Sequence, residues 1–183
     1  FAHTPQTIVQ VYTDEGLTGV GHCDSSPYVR FIIEGDIKPI LIGRDPLETE
    51  VLWTTMYRML DWYGLRGIIV HGMAGVDMAL WDIKGQKMGV PVWQLLGGCH
   101  RKKVIPYASL TPLAFEPYSL TERAAKCRDI GFRAVKFGWG SFGRESVEKD
   151  VELVKAVRKG VGDDIKVIID AGRPWQCSPS WVI

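Results

Sequence analysis

The chain has 183 residues, 46% of them hydrophobic, and 22 Lys plus Arg against 21 Asp plus Glu, so its formal net charge is +1. This balance lacks the basic field that attracts nucleic acid or an anionic membrane, and we expect neither partner. The four cysteines are far apart and form no C-x-x-C pair, which favours a protein of the reducing cytoplasm over a zinc or disulfide framework. No apolar run reaches the roughly 20 residues of a membrane span. The chain starts without Met, and we expect it to begin inside a longer protein.

The first elements are a hairpin and two helices. Alternating residues predict strands over 7–12 and 17–23, joined by a turn at Asp14-Glu15-Gly16. Helical spacing of apolar residues predicts helices over 28–41 and 46–60, the second with Pro46 in its first turn.

A third helix is predicted to begin near Gly72 and to end near Gly89. With the hairpin and the two earlier helices it makes residues 1–100 a small α+β domain. Its predicted buried face consists of apolar residues at helical spacing: Met73, Val76, Ala79, Leu80 and Ile83.

After the basic stretch Arg101-Lys102-Lys103 the pattern alternates between strand and helix. Strands are predicted over 104–109, 132–137 and 165–170. Ser119 and Glu122 indicate a capping box for the first intervening helix. One side of the second helix is predicted to carry four valines: Val147, Val151, Val154 and Val157.

This β-α-β-α-β order predicts a parallel sheet with helices outside it. Two architectures fit residues 101–183: a doubly wound sheet, or the first three strands of a (β/α)₈ barrel. Because a complete barrel needs about 250 residues, a barrel would have to be truncated here.

Two charged residues stand out in the predicted strands. Alternation places Lys136 on one face with Ala134 and Gly138, and Asp170 at the carboxyl end of the third strand. Because ligands bind at the carboxyl ends of parallel strands, Lys136 and Asp170 are predicted to face one pocket. A structural alternative stays open, in which Asp170 caps a turn and the Lys136 ammonium reaches water.

A second motif, Gly138-x-Gly140-x-x-Gly143, follows a strand and precedes a helix. This is the layout of a dinucleotide-binding loop, in which Asp170 would bind a ribose and the chain would be an NAD-dependent oxidoreductase. Trp139 would crowd such a loop. The alternative is a glycine-rich loop that only turns the chain.

The stretch from His71 to Gly98 resembles the signature of the mandelate racemase and muconate lactonizing family of the enolase superfamily. It contains Ala74-Gly-Val-Asp-Met-Ala-Leu-Trp-Asp-Ile-Lys-Gly85, then Gly89-Val-Pro-Val92 and Leu95-Leu-Gly-Gly98. The likeness extends more loosely from the hairpin through Gly43-Arg-Asp-Pro-Leu47 to Asp170.

The resemblance implies a capping α+β domain, residues 1–100, followed by the start of a (β/α)₈ barrel, residues 101–183. Family members abstract the proton α to a carboxylate and stabilise the enolate on Mg²⁺. Asp170 then aligns with the first of three carboxylates that bind the metal, and Lys136 with a lysine that contacts the substrate carboxylate.

Two departures from the family pattern refine this expectation. The family's Lys-x-Lys is Lys136-Phe-Gly138 here, and the Asn often found after the metal ligand is absent from Asp170-Ala-Gly-Arg173. Loss of the second lysine favours a one-base reaction, an acid-sugar dehydratase whose base, a histidine, lies beyond this chain. We further predict a homo-oligomer at full length, while an inactive truncated product stays a third alternative.

Overall fold

The computed structural model describes residues 6–24, 26–110, 116–140 and 142–170. The chain forms two compact units, Phe1–His100 and Arg101–Ile183, and the boundary between them in the sequence falls at the basic stretch where the pattern changes. Each unit has a hydrophobic core of its own.

The first unit opens with the predicted hairpin. Strands β1 (Gln6–Tyr12) and β2 (Thr18–Asp24) pair antiparallel, with Val9 opposite Gly21. The turn is closed by a hydrogen bond of 3.0 Å from the Thr13 N–H to the Leu17 carbonyl. The hairpin prediction is confirmed.

The first predicted helix is present as three consecutive segments: α1 (Val29–Ile32), a π-helical turn (Ile33–Ile37) and α2 (Lys38–Leu41). Helix α3 spans Thr49–Leu60, so the prediction that Pro46 lies in its first turn was wrong.

The cause lies just before the helix, where the Asp45 carboxylate accepts the Leu47 N–H at 2.9 Å. This side-chain bond holds the backbone in a local turn that competes with helix formation. The helix therefore begins two residues after Leu47, at Thr49. A short 3₁₀ turn, Asp61–Tyr63, follows it.

Helix α4 (Ile68–Met88) is the longest element and packs on the hairpin. All five apolar residues of its predicted face are buried, which confirms that face. A Cβ built on Gly19 would lie 2.0 Å from the Ala79 carbonyl oxygen, so β2 approaches the helix backbone more closely than any side chain allows. The helix ends at Gly89, whose φ of 66° is left-handed, and the short helix α5 (Val92–Leu95) follows.

The second unit has the predicted β-α-β-α-β order. Its elements are β3 (Ala108–Leu110), α6 (Pro117–Ile130), β4 (Ala134–Gly138), α7 (Val147–Val161) and β5 (Lys166–Asp170). The strands pair in parallel in the order β3-β4-β5. The core consists of apolar residues from one face of this sheet packed against the two helices.

Two boundaries in the second unit differ from the predictions by three residues or more. Strand β3 starts at Ala108 rather than at Val104, and Pro106 in the lost part has no N–H to donate to a ladder. Helix α6 starts at Pro117, so Ser119 is already helical and its hydroxyl donates to the Glu116 carbonyl at 3.1 Å. The predicted capping box was therefore wrong.

The buried side of α7 also differs from the predicted valine face. Val157 is buried, but Val147 and Val151 are 50% and 44% exposed. Leu153 lies on the buried side, and Val151, two residues earlier, points nearly opposite because a helix turns about 100° per residue. Within the described ranges, none of the helices combines the length and hydropathy that crossing a bilayer requires.

Candidate active site

The two charged residues predicted to share a pocket are in contact. Lys136 lies in β4 and Asp170 ends β5, the neighbouring parallel strand. The Lys136 Nζ donates to the Asp170 Oδ2 at 3.1 Å. Both side chains are half-buried, with exposed fractions of 24% and 35%. The pair lies toward the carboxyl end of the sheet, where parallel α/β folds bind ligands.

A third side chain reaches the same ammonium. The Lys136 Nζ lies 5.3 Å from the centroid of the Tyr107 ring. Ser109 is opposite Lys136 in the parallel ladder, so Tyr107, two residues earlier, projects from the same face of the sheet. Tyr107 is a site residue that was not predicted from the sequence, although strand alternation alone would place it beside Lys136.

The hydrogen bond to Asp170, and after it the hydrogen bond to Tyr107, raise the pKa of Lys136 above its ordinary value. The side chain is therefore a stable cation at neutral pH. A permanent cation can bind an anionic group, but it is poorly suited to accept a proton.

Gly138, which ends β4, has a backbone that no other residue adopts easily. Its φ is 149° and it lies opposite Asp170 in the ladder. A Cβ at this position would lie 1.8 Å from the Asp170 carbonyl oxygen. In this structure β4 and β5 lie too close together at residue 138 to accommodate a lysine side chain, or any side chain. Trp139, next in the chain, has a φ of 64°, which is uncommon for a bulky residue.

The glycine loop after β4 is organised by its own side chains. Phe142 is buried edge-to-face on Phe137, with ring centroids 5.8 Å apart. The Gly143 N–H donates to the Asp150 carboxylate at 2.9 Å, and the Ser146 hydroxyl caps α7.

The Gly143 N–H and the N–H that the Ser146 hydroxyl accepts are thus already engaged by side chains of the protein. Glu148 and Asp150 both lie in the first turn of α7, where their negative charges repel an anion. The loop geometry therefore disfavours the NAD-binding interpretation and fits a structural turn.

Comparison with known families identifies both units. The profile of the mandelate racemase / muconate lactonizing enzyme N-terminal domain matches residues 2–97, and the profile of the enolase C-terminal domain-like family matches residues 119–181. The chain belongs to the mandelate racemase / muconate lactonizing enzyme family. Its first unit is the family's N-terminal domain, and its second unit is part of the C-terminal barrel.

Similar members of the family have several named activities. Arabinonate dehydratase of Saccharolobus solfataricus is 37% identical over 93% of the chain and 46% of that enzyme. D-Galactarolactone cycloisomerase of Agrobacterium fabrum is 33% identical over 93% of the chain and 45% of that enzyme. The crystal structure of a racemase from Streptomyces coelicolor A3(2) with bound magnesium superposes with a TM-score of 0.85 at 30% identity, over 93% of the chain and 48% of that structure. The chain thus spans less than half the length of these relatives.

The donor chemistry of Asp170 fits a magnesium ion, because Mg²⁺ prefers hard carboxylate oxygens. The described residues contain no group of three His, Cys, Asp or Glu that could hold a metal. Among the described residues of the second unit, Asp170 thus does not by itself form a complete metal site. The family's Asn after this ligand would fall at residue 172, outside the described residues.

Proposed function

We propose that the whole protein carrying this chain is a magnesium-dependent lyase that dehydrates an acid sugar. The observation that carries the proposal is the contact between Lys136 and Asp170 at the carboxyl side of a parallel sheet. Lys136 binds the substrate carboxylate, and Asp170 contributes one of the metal ligands.

The proton α to a carboxylate is too weakly acidic for an ordinary base unless the negative charge of the enolate is stabilised. When bound, magnesium would supply that stabilisation as a Lewis acid. Lys136 adds a fixed positive charge that is placed before the reaction starts, so it costs no reorganisation when the charge develops.

Gly138 supports elimination over racemisation. A two-base racemase needs a proton-carrying group on each side of the substrate carbon, and the backbone at residue 138 excludes the lysine that would supply one of them. Dehydration needs one base, which we propose lies outside this chain. The activity named for arabinonate dehydratase, at 37% identity, supports the same choice.

Cycloisomerisation is the second candidate, because D-galactarolactone cycloisomerase is 33% identical to the chain. The two reactions differ in the mass of the product. Mass spectrometry after incubation with a panel of acid sugars and their lactones should show loss of one water for a dehydratase. An isomer of unchanged mass would support the cycloisomerase instead.

Replacement of Lys136 tests the site itself. In the whole protein, Lys136→Ala should lower turnover of the acid sugar by about 10²-fold, as expected for loss of a transition-state electrostatic partner. Lys126→Ala, at an exposed position on α6, is the matched control and should keep parental turnover. Chelation with EDTA should remove the activity, and added Mg²⁺ should restore it.

Near-parental turnover of Lys136→Ala would make Lys136 a structural lysine and would defeat the assignment. Unchanged activity after complete chelation would refute the proposed magnesium dependence but not the role of Lys136. The fold of each variant is checked by circular dichroism before its turnover is measured.

A further inference from the structure

Lys136 contacts both Asp170 and Tyr107, and in the proposed function Asp170 also binds the metal ion. Its Nζ lies 3.1 Å from the Asp170 Oδ2 and 5.3 Å from the Tyr107 ring centroid. Any cation that binds the Asp170 oxygens competes with the ammonium for the same negative charge. A lysine that must bind substrate at that moment then needs another contact to fix its position.

We propose that Tyr107 is the positioning residue that holds the Lys136 ammonium in the substrate carboxylate subsite when Asp170 engages a cation. The proposal rests on the proposed function. Tyr107 acts through Lys136 and does not touch the reacting atoms.

The placement of Tyr107 suits this role. It lies immediately before β3 and two residues before Ser109, the residue opposite Lys136 in the ladder. Tyr107 therefore reaches Lys136 from the amino-terminal side of the ladder, and 24% of the Lys136 side chain stays exposed. An aromatic face attracts a cation without neutralising it, so the positive charge stays available for the substrate carboxylate.

The attachment of Tyr107 to the backbone also restricts its motion. Pro106 precedes it and has a fixed φ, and Ala108, which follows, is buried in the sheet. A tyrosine has only two side-chain torsions, so little entropy is lost when its ring supports the lysine. Asp170, in contrast, is the last residue of β5, and 35% of its side chain is exposed.

Two substitutions separate the ring face from the hydroxyl. In the whole protein, Tyr107→Leu should lower kcat/KM for the acid sugar by about 10-fold. Tyr107→Phe should stay within about 3-fold, because it removes the hydrogen bond of the hydroxyl to Lys136 but keeps the aromatic face. Tyr118→Leu, at an exposed tyrosine of the same unit, is the matched control and should have parental kcat/KM.

The Lys136→Ala background tests whether Tyr107 acts through Lys136. There, Tyr107→Leu should cause no further loss, because the group that it positions is gone. Equal losses in the two backgrounds, or no loss in the parental one, would overturn the proposal.

A second readout does not depend on activity. The ε-methylene protons of a lysine held over a ring are shifted upfield in NMR spectra of lysine-labelled protein, and the Lys136 signal is identified by its disappearance in Lys136→Ala. The shift should persist after addition of Mg²⁺ and in Tyr107→Phe, and should be lost in Tyr107→Leu. Loss of the shift on addition of Mg²⁺ would overturn the proposal.

The turnover of two variants, Lys136→Ala and Tyr107→Leu, separates this proposal from the proposed function. If Lys136→Ala keeps full turnover, the proposed function of Lys136 fails, and with it the role of Tyr107 in substrate binding. If Lys136→Ala loses turnover while Tyr107→Leu does not, the proposed function stands and the inference about Tyr107 fails.

Discussion

Gly138→Ala is the substitution that most directly tests the geometry of the site. The added Cβ would lie 1.8 Å from the Asp170 carbonyl oxygen, and it would sit on a backbone with a φ of 149°. To reach an ordinary contact of 3.4 Å, β4 and β5 would have to separate locally by roughly 1.6 Å. Such a separation breaks the ladder at the residue that carries the proposed metal ligand.

Both stability and turnover should fall. Overpacking costs about 1–3 kcal/mol, and an unfavourable φ adds about 1 kcal/mol, so we expect a loss of about 2–4 kcal/mol in the unfolding free energy. Turnover should fall by about 10²-fold, because a displacement of about 1 Å in a catalytic group is enough for that loss. Urea unfolding and kcat/KM of the whole protein are the two measurements.

Gly131→Ala is the matched control, because it separates strain from collision. Gly131 has a φ of 102° and ends α6, but a Cβ there would meet nothing within 4 Å. It should lose only about 1 kcal/mol and keep its turnover. If Gly138→Ala is no less stable and no less active than Gly131→Ala, the close approach of Gly138 to Asp170 is not a constraint on the site.

Two further predictions concern the first unit. Gly21→Ala would place a Cβ 1.8 Å from the Gly75 carbonyl oxygen and should lower the unfolding free energy by about 2–4 kcal/mol. Gly35→Ala adds a Cβ in a helical segment with nothing within 4 Å, and it should raise the unfolding free energy by up to about 1 kcal/mol. Both values are measured by urea titration. Burial, and after it the carboxylate of Glu50, raise the pKa of Asp77, so its ionised form destabilises the fold at pH values above that raised pKa. Asp77→Asn should therefore raise the unfolding free energy at neutral pH by up to about 1 kcal/mol, a gain that should disappear below the ordinary pKa of Asp; no gain at neutral pH would contradict the burial argument.

The hairpin and the buried face of the longest helix could be predicted from the sequence. In the hairpin the apolar residues alternate with a period of 2, and in α4 they recur at a spacing of about 3.6 residues. In both elements this spacing identifies the side that packs against the core. The site pair could be predicted for the same reason. Alternation and strand order place Lys136 and Asp170 on one edge of a parallel sheet without any knowledge of the distance between them.

Features that depend on a single local bond could not be predicted in this way. The start of α3 depends on whether Asp45 bonds the backbone at Leu47. The role of Ser119 depends on whether the helix starts after Ser119 or, as observed, at Pro117, and its hydroxyl can donate as well as accept. These alternatives differ by about 1 kcal/mol, which is smaller than the tertiary contacts that decide between them.

Gly138 shows a different limit of sequence analysis. In the sequence, Gly138 stands where the family has its second lysine. In the structure, it is the position where the main chain of β4 comes closest to the main chain of Asp170 in β5. The cause is the register of two strands that lie more than thirty residues apart, as the pairing of Gly138 with Asp170 shows. No local pattern carries that information.

The close contact between α4 and the hairpin has a consequence for how this family is recognised. The small residues of the signature stretch, among them Gly75 and Ala79, are where the helix backbone meets Gly21 and Gly19. These close approaches require small residues, in a domain that contains neither Lys136 nor Asp170. The motif therefore identifies the family but not the reaction. The chemistry has to be inferred from the residues at the strand ends of the barrel.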